Sequence, residues 1–204
     1  MISHKYRCIF VHIPRTAGSS IEDAICGKNW WSIDPSTKHI TAKQAKQIYG
    51  EYWDDYFKFA IVRNPWDRCV SLMEFSQVYY GLPKGALTLE HIKGYRKLFG
   101  ESVTIEYDWR FYSRIDVEDS RHKPRAVYRN ILDEPLDFIG KYEDLARAFK
   151  TISRSIGLPR DIEIKKVAAS KARVPFRDAF QSAELRDAVA DLYAGDIEDY
   201  GYDF

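Results

Sequence analysis

Cysteine is scarce in this chain of 204 residues, which has three, Cys8, Cys26 and Cys69. The number is odd and no Cys-x-x-Cys pair occurs, so the sequence indicates neither a disulfide framework nor a zinc site and favours a reducing compartment. An excess of one charge is also missing, because 31 Lys and Arg residues face 30 Asp and Glu residues and leave a net charge of +1. We therefore expect no general affinity for nucleic acids or other polyanions.

Long apolar runs are absent as well. No run approaches the roughly 18 apolar residues of a membrane span, and the first residues lack the apolar stretch of a secretory signal. We therefore expect no membrane span and a cytoplasmic location. Hydrophobic residues make up 45% of the chain, which is enough for a sizeable core, and the length suits a single domain over residues 1–204.

What the sequence does contain is two apolar segments that each run into a polar turn. The first predicts a buried strand over Cys8–Val11, a turn at Pro14 and a helix over residues 19–26. Backbone N–H groups at a helix start have no intrahelical partners, and the helix dipole adds partial positive charge there. Such a turn can hold a phosphate-like anion, and the segment adds hydroxyl and guanidinium donors at Arg15, Thr16, Ser19 and Ser20.

This turn is not a Walker A loop, which needs Gly-Lys-[Ser/Thr] where this chain has Gly18, Ser19 and Ser20. The basic residue, Arg15, precedes the glycine instead. An ordinary strand–helix turn with serines at the helix start is the alternative on this segment alone. His12, just before the turn, is expected to pack against it or orient it.

The second segment predicts a strand over Phe57–Val62 that ends in Arg63. Asn64 is a good N-cap and Pro65 suits the first helical position, so a helix is expected to begin there. Arg63 then lies at the carboxyl end of a strand, where open α/β sheets bind ligands. Ser71 follows two helical turns further on.

The rest of the pattern alternates strands with helices. A third strand is predicted at residues 136–139, Gly50 is expected to stop a helix, and residues 102–123 are ambiguous. The predicted helices cover residues 41–49, 65–80, 88–99, 142–156 and 182–193. This alternation indicates an α/β fold with a mostly parallel sheet covered on both faces.

The segments HIPRTAGSS (residues 12–20) and RNPWDRCVS (residues 63–71) resemble the two donor-binding motifs of the sulfotransferase superfamily, which uses 3′-phosphoadenosine 5′-phosphosulfate (PAPS). The likeness is closest to the branch of carbohydrate sulfotransferases and bacterial relatives, sulfotransferase family 2. Residues 137–145 and 192–204 also look like that branch. The resemblance implies a three-layer, P-loop-like α/β fold with a central, mostly parallel sheet flanked by helices.

The resemblance also implies which residues bind the donor. The 5′-phosphosulfate would be held by Pro14, Arg15, Thr16, Ala17, Gly18, Ser19 and Ser20. Arg63 and Ser71 would hold the 3′-phosphate, which stays on the product PAP. Arg173, in a basic loop before the last helix, is expected to close over the donor. Arg15 occupies the position where the family usually has lysine, and we expect it to stabilise charge on the bridging oxygen as the catalytic cation.

A hydroxyl acceptor needs a base, and His39 is the first candidate for it. His39 lies just before a predicted helix, between the two motifs, in a stretch that looks like the corresponding one of bacterial relatives. Its ordinary pKa of about 6.5 suits proton abstraction near neutral pH. The carboxylate alternatives are Glu74 and Asp34, and an exposed loop histidine without a role is the plain alternative.

The sequence does not identify the acceptor, which could be a carbohydrate or another small hydroxyl compound. Trp30 and Trp31 are aromatic residues that could line an acceptor cleft, although core packing is the more frequent explanation for such residues. A nucleotide-dependent kinase would need a Walker lysine and an Asp for Mg²⁺, and neither is evident, so no metal is implied. A catalytically silent PAPS- or nucleotide-binding module is the non-enzyme alternative. The oligomeric state is not indicated.

Overall fold

A computed structural model describes residues 1–79, 86–89, 92, 125–159, 162, 164 and 175–204 of the chain. Three sequence predictions fall outside these residues wholly or in large part. They are the helix over residues 88–99, the segment 102–123 and the loop that contains Arg173.

A four-stranded mixed sheet forms the centre of the described fold, in the strand order β1-β2-β3-β4. The strands are β1 (Ile2–Ser3), β2 (Cys8–Val11), β3 (Phe57–Val62) and β4 (Phe138–Lys141). β1 pairs antiparallel with β2, whereas β2, β3 and β4 are parallel to one another. The sequence prediction of β2 and β3 is confirmed, and β4 begins two residues later than predicted.

Helices follow β2, β3 and β4 along the chain. Those described over their whole length are α1 (Gly18–Cys26), α2 (Ala42–Ile48), α3 (Gly50–Trp53), α4 (Pro65–Tyr79), α5 (Tyr128–Ile131), α6 (Leu145–Ser155), α7 (Ala183–Leu192) and α8 (Ala194–Tyr200). Short 3₁₀ helices cover Trp30–Ser32, Pro35–Thr37, Tyr142–Asp144 and Phe176–Ala179. Among the described residues, no helix combines the length and the apolar character that crossing a bilayer requires.

The helix starts follow local capping signals. Thr41 forms a capping box with Gln44, because the Gln44 N–H donates to Oγ1 of Thr41 at 3.2 Å and the Thr41 N–H donates to Oε1 of Gln44 at 3.0 Å. Asn64 caps α4 by accepting from the Trp66 N–H at 3.1 Å, as predicted. The helix predicted over residues 41–49 ends at Ile48, just before Gly50, and Gly50 then begins the next helix, α3.

Contacts within the chain divide it into two compact units. The first comprises residues 1–63 and 131–170, and the second comprises residues 64–130 and 171–204. The first unit therefore carries the sheet with α1, α2, α3 and α6, and the second carries α4, α5, α7 and α8. The single domain over residues 1–204 stays a prediction about folding.

The core of the first unit lies between the sheet and its helices. One face of the sheet presents Phe10, Phe59 and Ile61, which are buried in a cluster with Ile21 of α1 and Ile152 of α6. The residues that alternate with them are also buried, at Ile9, Val11, Ala60 and Val62. Both faces are therefore covered, which explains why the strands form continuous apolar runs.

The second unit is organised around two buried polar groups. Arg68 of α4 is fully buried and donates from Nη1 to the Tyr193 hydroxyl at 2.6 Å. Asp196 of α8 accepts backbone N–H bonds from Val127, Tyr128 and Arg129 at 2.5, 2.9 and 3.0 Å, which caps the start of α5. The bonds of Asp196 join segments about 70 residues apart in the sequence, and the bond of Arg68 joins residues 125 positions apart.

Candidate anion-binding and catalytic site

The two predicted anion segments meet at one edge of the sheet. β2 and β3 are parallel neighbours with Val11 paired to Ala60, so the chain leaves both strands at the same edge. Arg63, the residue after β3, donates from Nη1 to the backbone carbonyl of Arg15 at 2.8 Å. The structure therefore brings together the first turn and the arginine of the second motif.

The turn between β2 and α1, residues 12–17, has an unusual backbone and is called the anion loop below. Arg15 and Ala17 have φ values of 69° and 67°, in the left-handed region that residues with a Cβ rarely adopt. Such conformations cost on the order of 1–3 kcal/mol each and cluster at functional sites. The Thr16 hydroxyl donates to the Ile13 carbonyl at 2.8 Å and closes the turn. Thr16 is fully buried, so its hydroxyl serves the loop itself.

The N-terminus of α1 offers backbone donors beside this loop. The first bonds within the helix run from the N–H groups of Ser20 and Ile21 to the Ala17 carbonyl at 3.0 and 3.2 Å. The N–H groups of Gly18 and Ser19 precede these bonds and point out of the helix end. The first turn of α1, which is described in full, contains no acidic residue. Backbone donors and dipole therefore both favour an anion here.

His12 lies directly beneath the start of α1. A Cβ added at Gly18 would overlap the His12 ring at Nε2, so this close contact requires a glycine. The His12 ring is buried and stacks on Phe10 with ring centroids 5.4 Å apart. These contacts agree with the prediction that His12 packs against the turn, and an orienting role stays a prediction.

A buried ionic cluster of His12, Glu22 and Lys38 lies behind the loop. Oε1 of Glu22 lies 2.6 Å from Nδ1 of His12, and Oε2 accepts from Lys38 Nζ and, at 3.0 Å, from the Trp30 N–H. Lys38 Nζ also donates to Oδ1 of Asn29 at 2.7 Å. All three side chains of the cluster are at most 4% exposed.

The charge state of this cluster follows from its contacts. Burial opposes ionisation of Glu22, but its bonds to His12 and Lys38 outweigh burial and lower the pKa of the Glu22 carboxyl to about 2. Burial lowers the pKa of His12 below its usual value although Glu22 opposes the shift. Burial likewise lowers the pKa of Lys38, again against the attraction of Glu22. At neutral pH an ionised Glu22 therefore accepts from a neutral His12 and a charged Lys38.

His39 stands next to this cluster in the protonation state of a base. Nδ1 of His39 lies 3.1 Å from the backbone carbonyl oxygen of His12. A carbonyl only accepts, so Nδ1 carries the hydrogen and Nε2 of the neutral ring is the proton acceptor. Burial, and after it the nearby His12, lower the pKa of His39 well below its usual value. The ring is half-buried and meets the Trp31 ring edge to face at 5.6 Å.

Comparison with known proteins identifies the family of this chain. The chain matches the family described as Sulfotransferase family, in its family 2 branch, over residues 1–203. The chain belongs to the sulfotransferase family. No match was found among curated proteins or among solved structures. Membership supports a transferase activity on sulfuryl groups and confirms the family expected from the two motifs.

Arg15 and Arg63, the two predicted cations of this sulfotransferase, lie in different surroundings. Arg63 is 3% exposed, and its guanidinium lies 4.0 Å from the centre of the Tyr142 ring, which is a close cation–π contact. Arg15 is half-buried within the anion loop, and its backbone carbonyl accepts the hydrogen bond from Arg63. Arg63 therefore bonds to the backbone of the anion loop, which the sequence did not predict.

The other predicted residues fall in separate places. Ser19 is half-buried and Ser20 buried in the first turn of α1. Ser71 and Glu74 lie on α4 in the second unit of the sulfotransferase, where Ser71 is buried and Glu74 half-buried. Arg173 lies outside the described residues. The prediction that these residues bind or act on the donor stays a prediction.

Asp34, the alternative base, is already engaged in hydrogen bonds. Oδ1 accepts from the N–H and the hydroxyl of Ser36 at 3.1 and 2.6 Å, and Oδ2 accepts from the Thr37 hydroxyl at 2.7 Å. The Ser36 hydroxyl is the main reason that the pKa of Asp34 is lowered. A carboxylate stabilised in this way is a weaker proton acceptor, and the choice between Asp34 and His39 as the base stays a prediction.

Glu22 and Lys38 are the residues that the sequence analysis missed. A weak signal was present, because Glu22 lies between Ile21 and Ile25, both buried on the apolar side of α1. A charged residue at a buried helical position must be paired. The partner could not be read from local spacing, since Lys38 is 16 residues away.

Proposed function

We propose that this sulfotransferase moves a sulfuryl group from PAPS to a hydroxyl of a carbohydrate or other small acceptor. One observation carries the proposal. The backbone donors of Gly18 and Ser19, the half-buried Arg15 and the base candidate His39 all belong to the stretch that follows β2 at one edge of the sheet. An anionic donor bound to the loop would therefore meet cation and base together.

The residues present fit the donor that the family uses. The anion loop and the start of α1 would hold its 5′-phosphosulfate by backbone N–H groups and by the Ser19 hydroxyl. When bound, PAPS supplies an activated sulfuryl group whose departure leaves negative charge on a phosphate oxygen. Arg15 would stabilise that charge, and its planar guanidinium offers two donors where a lysine offers a point charge.

His39 would take the proton of the acceptor hydroxyl at Nε2. Its Nδ1–H bond to the His12 carbonyl fixes the ring so that Nε2 is the basic nitrogen. Positive charge then develops on the ring, and the bond from Nδ1 strengthens as it becomes charge-assisted. Proton transfer by such a positioned group contributes roughly 10²–10⁴-fold to rate.

The surroundings of His39 also bear on the acceptor. Trp31 and Ile33, which lie on either side of Ser32, are 42% and 45% exposed. The Trp31 ring lies 5.6 Å from the ring of His39. Sugar and aryl rings stack on aromatic faces of this kind, so an acceptor with an apolar ring face would place its hydroxyl near His39.

The proposal is tested by binding and by transfer. Calorimetry with PAP, AMP and ATP in the presence of EDTA is expected to show micromolar binding of PAP and weaker binding of AMP and ATP. A preference for ATP, or binding that EDTA abolishes, would exclude the proposed donor. Transfer of labelled sulfate from PAPS to a panel of sugars and phenols then tests the enzyme activity.

A silent binding module is the second candidate function. Arg15 in the position of the usual lysine favours it, because the two cations stabilise charge differently. Tight PAP binding together with no transfer to any acceptor, in both the parental protein and Arg15→Lys, would support the module over the enzyme.

A further inference from the structure

We propose that Glu22 is a positioning residue of this sulfotransferase, because its single carboxylate holds the anion loop through His12 and the segment of the base through Lys38. The inference rests on the proposed function in one respect, namely that His39 is the base. Glu22 lies on α1, behind the loop, and is fully buried. It therefore acts through its neighbours rather than on the substrates.

The first connection runs from Glu22 to the loop. Oε1 lies 2.6 Å from Nδ1 of His12, and an ionised carboxylate accepts this hydrogen, which leaves Nε2 of His12 facing Gly18. The His12 ring is in turn held against Phe10. The orientation of this ring determines how closely the start of α1 can approach β2. The carboxylate thus fixes the place of the N–H groups that would bind the donor.

The second connection runs from Glu22 to the base. Oε2 accepts from Lys38 Nζ, and Lys38 also donates to Asn29 at 2.7 Å, so this buried side chain is anchored at its end. Lys38 immediately precedes His39 in the chain. Anchoring Lys38 therefore restrains the backbone from which the His39 ring projects.

The two connections meet again at His39. Its Nδ1 donates to the His12 carbonyl at 3.1 Å, and the centroids of the two imidazole rings lie 4.4 Å apart. Glu22 accepts from three donors, on His12, Lys38 and the Trp30 backbone. A glutamine has one acceptor oxygen and would turn its NH₂ group towards a donor. The geometry therefore specifies a carboxylate rather than any polar side chain.

The same arrangement balances charge around His39. His12, Lys38 and the Met1 amino group are among the titratable groups that influence the pKa of His39. Glu22 offsets the charge of Lys38, to which it is directly bonded. Glu22→Gln should therefore lower the pKa of His39, and Lys38→Met should raise it. The acid limb of the rate profile would move to lower pH in the first variant and to higher pH in the second, which a purely structural defect would not produce.

Nuclear magnetic resonance of ¹⁵N-labelled histidines tests the proposal without any activity. In the parental protein at neutral pH, His12 and His39 are both expected to carry hydrogen on Nδ1. A hydrogen on Nε2 of either ring in the parental protein overturns the proposal at once. In Glu22→Gln, we expect His39 to populate both tautomers and the affinity for PAP to fall about tenfold or more, the range of a lost bond to a charged group.

Two further variants keep the result decisive. Glu22→Gln leaves Lys38 buried beside a neutral side chain, so the neutral pair Glu22→Gln/Lys38→Met is measured as well, to guard against loss of the fold. Glu134→Gln is the matched control, because Glu134 pairs with Lys46 at 2.9 Å outside the cluster, and it should leave tautomers and affinity unchanged.

The outcomes separate the two claims. If the Glu22 variants fold and keep both the parental His39 tautomer and the parental PAP affinity, Glu22 has no positioning role. If the tautomer and the affinity change but the parental protein transfers no sulfate, the positioning role stands and the proposed catalysis fails. If transfer occurs, Glu22→Gln should lower kcat and raise KM for PAPS, whereas His39→Ala should lower kcat alone.

Discussion

At the scale of single residues, the described site depends on a few side chains with different tasks. Arg15 lies in the anion loop itself, where negative charge would grow as the sulfuryl group leaves. Arg63 bonds to the backbone of that loop. His39 stands beside it with a fixed tautomer. Variants of the two arginines are therefore expected to fail in different ways.

Arg15→Ala is expected to lower kcat by roughly 10²–10³-fold, the effect found when one donor to a developing oxyanion is removed. Binding of PAP, which lacks the sulfuryl group, should weaken far less. Arg15→Lys restores the usual family residue and should keep or raise activity. Turnover at saturating PAPS and calorimetry with PAP measure the two effects. Near-parental kcat in Arg15→Ala would remove Arg15 from the chemical step.

Arg63→Ala is expected to weaken binding of PAP by about 10- to 150-fold, since bonds to charged groups contribute roughly 1.5–3 kcal/mol. Because Arg63 also bonds to the Arg15 carbonyl, binding of AMP should weaken too, although less. Ser71→Ala serves as the contrast and should weaken the binding of PAP but not the binding of AMP. Calorimetry with both nucleotides decides this. Parental affinity for AMP in Arg63→Ala would show that the bond to Arg15 does not shape the loop.

At the scale of secondary structure, the close approach of β2 and α1 depends on a glycine. A Cβ at position 18 would overlap the His12 ring, so Gly18→Ala should lower the free energy of unfolding by about 1–3 kcal/mol, as overpacking does. The variant should also displace the donors of the anion loop and weaken the binding of PAP. Urea unfolding and calorimetry measure both.

Gly50→Ala is the matched control for this glycine. Gly50 also lies at the first position of a helix, and an added Cβ there would meet nothing within 4 Å. The free energy of unfolding of Gly50→Ala should stay the same or rise by about 0.5–1 kcal/mol, since alanine forms helix more readily than glycine does. If both variants lose stability equally, the contact with His12 is not the cause.

Elements with strong local signals were predictable from the sequence. β2 and β3 are buried on both faces and appear as unbroken apolar runs, and the caps at Thr41 and Asn64 mark helix starts. β4 was misplaced because it is partly exposed, with Ile139 37% exposed, so its apolar pattern is weak. α8, at Ala194–Tyr200, was missed because it follows α7 with one residue between them.

The site was predictable only in part, for a related reason. Backbone donors and arginines at strand ends follow from sequence order and sheet geometry. The bond from Arg63 to the Arg15 carbonyl and the cluster around Glu22 are tertiary contacts between charged residues that local patterns assign to solvent. Only the folded chain brings such partners together.

At the scale of the whole molecule, stability should respond to pH through a buried carboxyl. Burial raises the pKa of Asp196 from 3.8 to about 6, although three backbone N–H groups oppose the shift. The contribution of Asp196 to stability is therefore complete below about pH 4 and is lost as pH rises through 6. From the shift we expect a loss of roughly 2–3 kcal/mol over this range.

Asp196→Asn tests this expectation, because it removes the titration while keeping the size of the side chain. The free energy of unfolding, measured in urea from pH 4 to pH 7, should fall more steeply in the parental protein than in the variant. Asp187→Asn, at an exposed position of α7, is the control and should keep the parental slope. Equal slopes in parent and Asp196→Asn would contradict the assignment.

The anion loop, the buried ionic cluster and His39 all come from residues 12–39, a single uninterrupted stretch of chain. A protein engineer can therefore treat this stretch as a cassette and exchange it between homologues in one piece. Its internal pairs travel with it, so a chimera keeps its own His12, Glu22 and Lys38 together. Replacing only the loop would leave the incoming His12 facing a foreign acid. Recombination borders are best set before residue 8 and after residue 41, where β2 begins and α2 is capped.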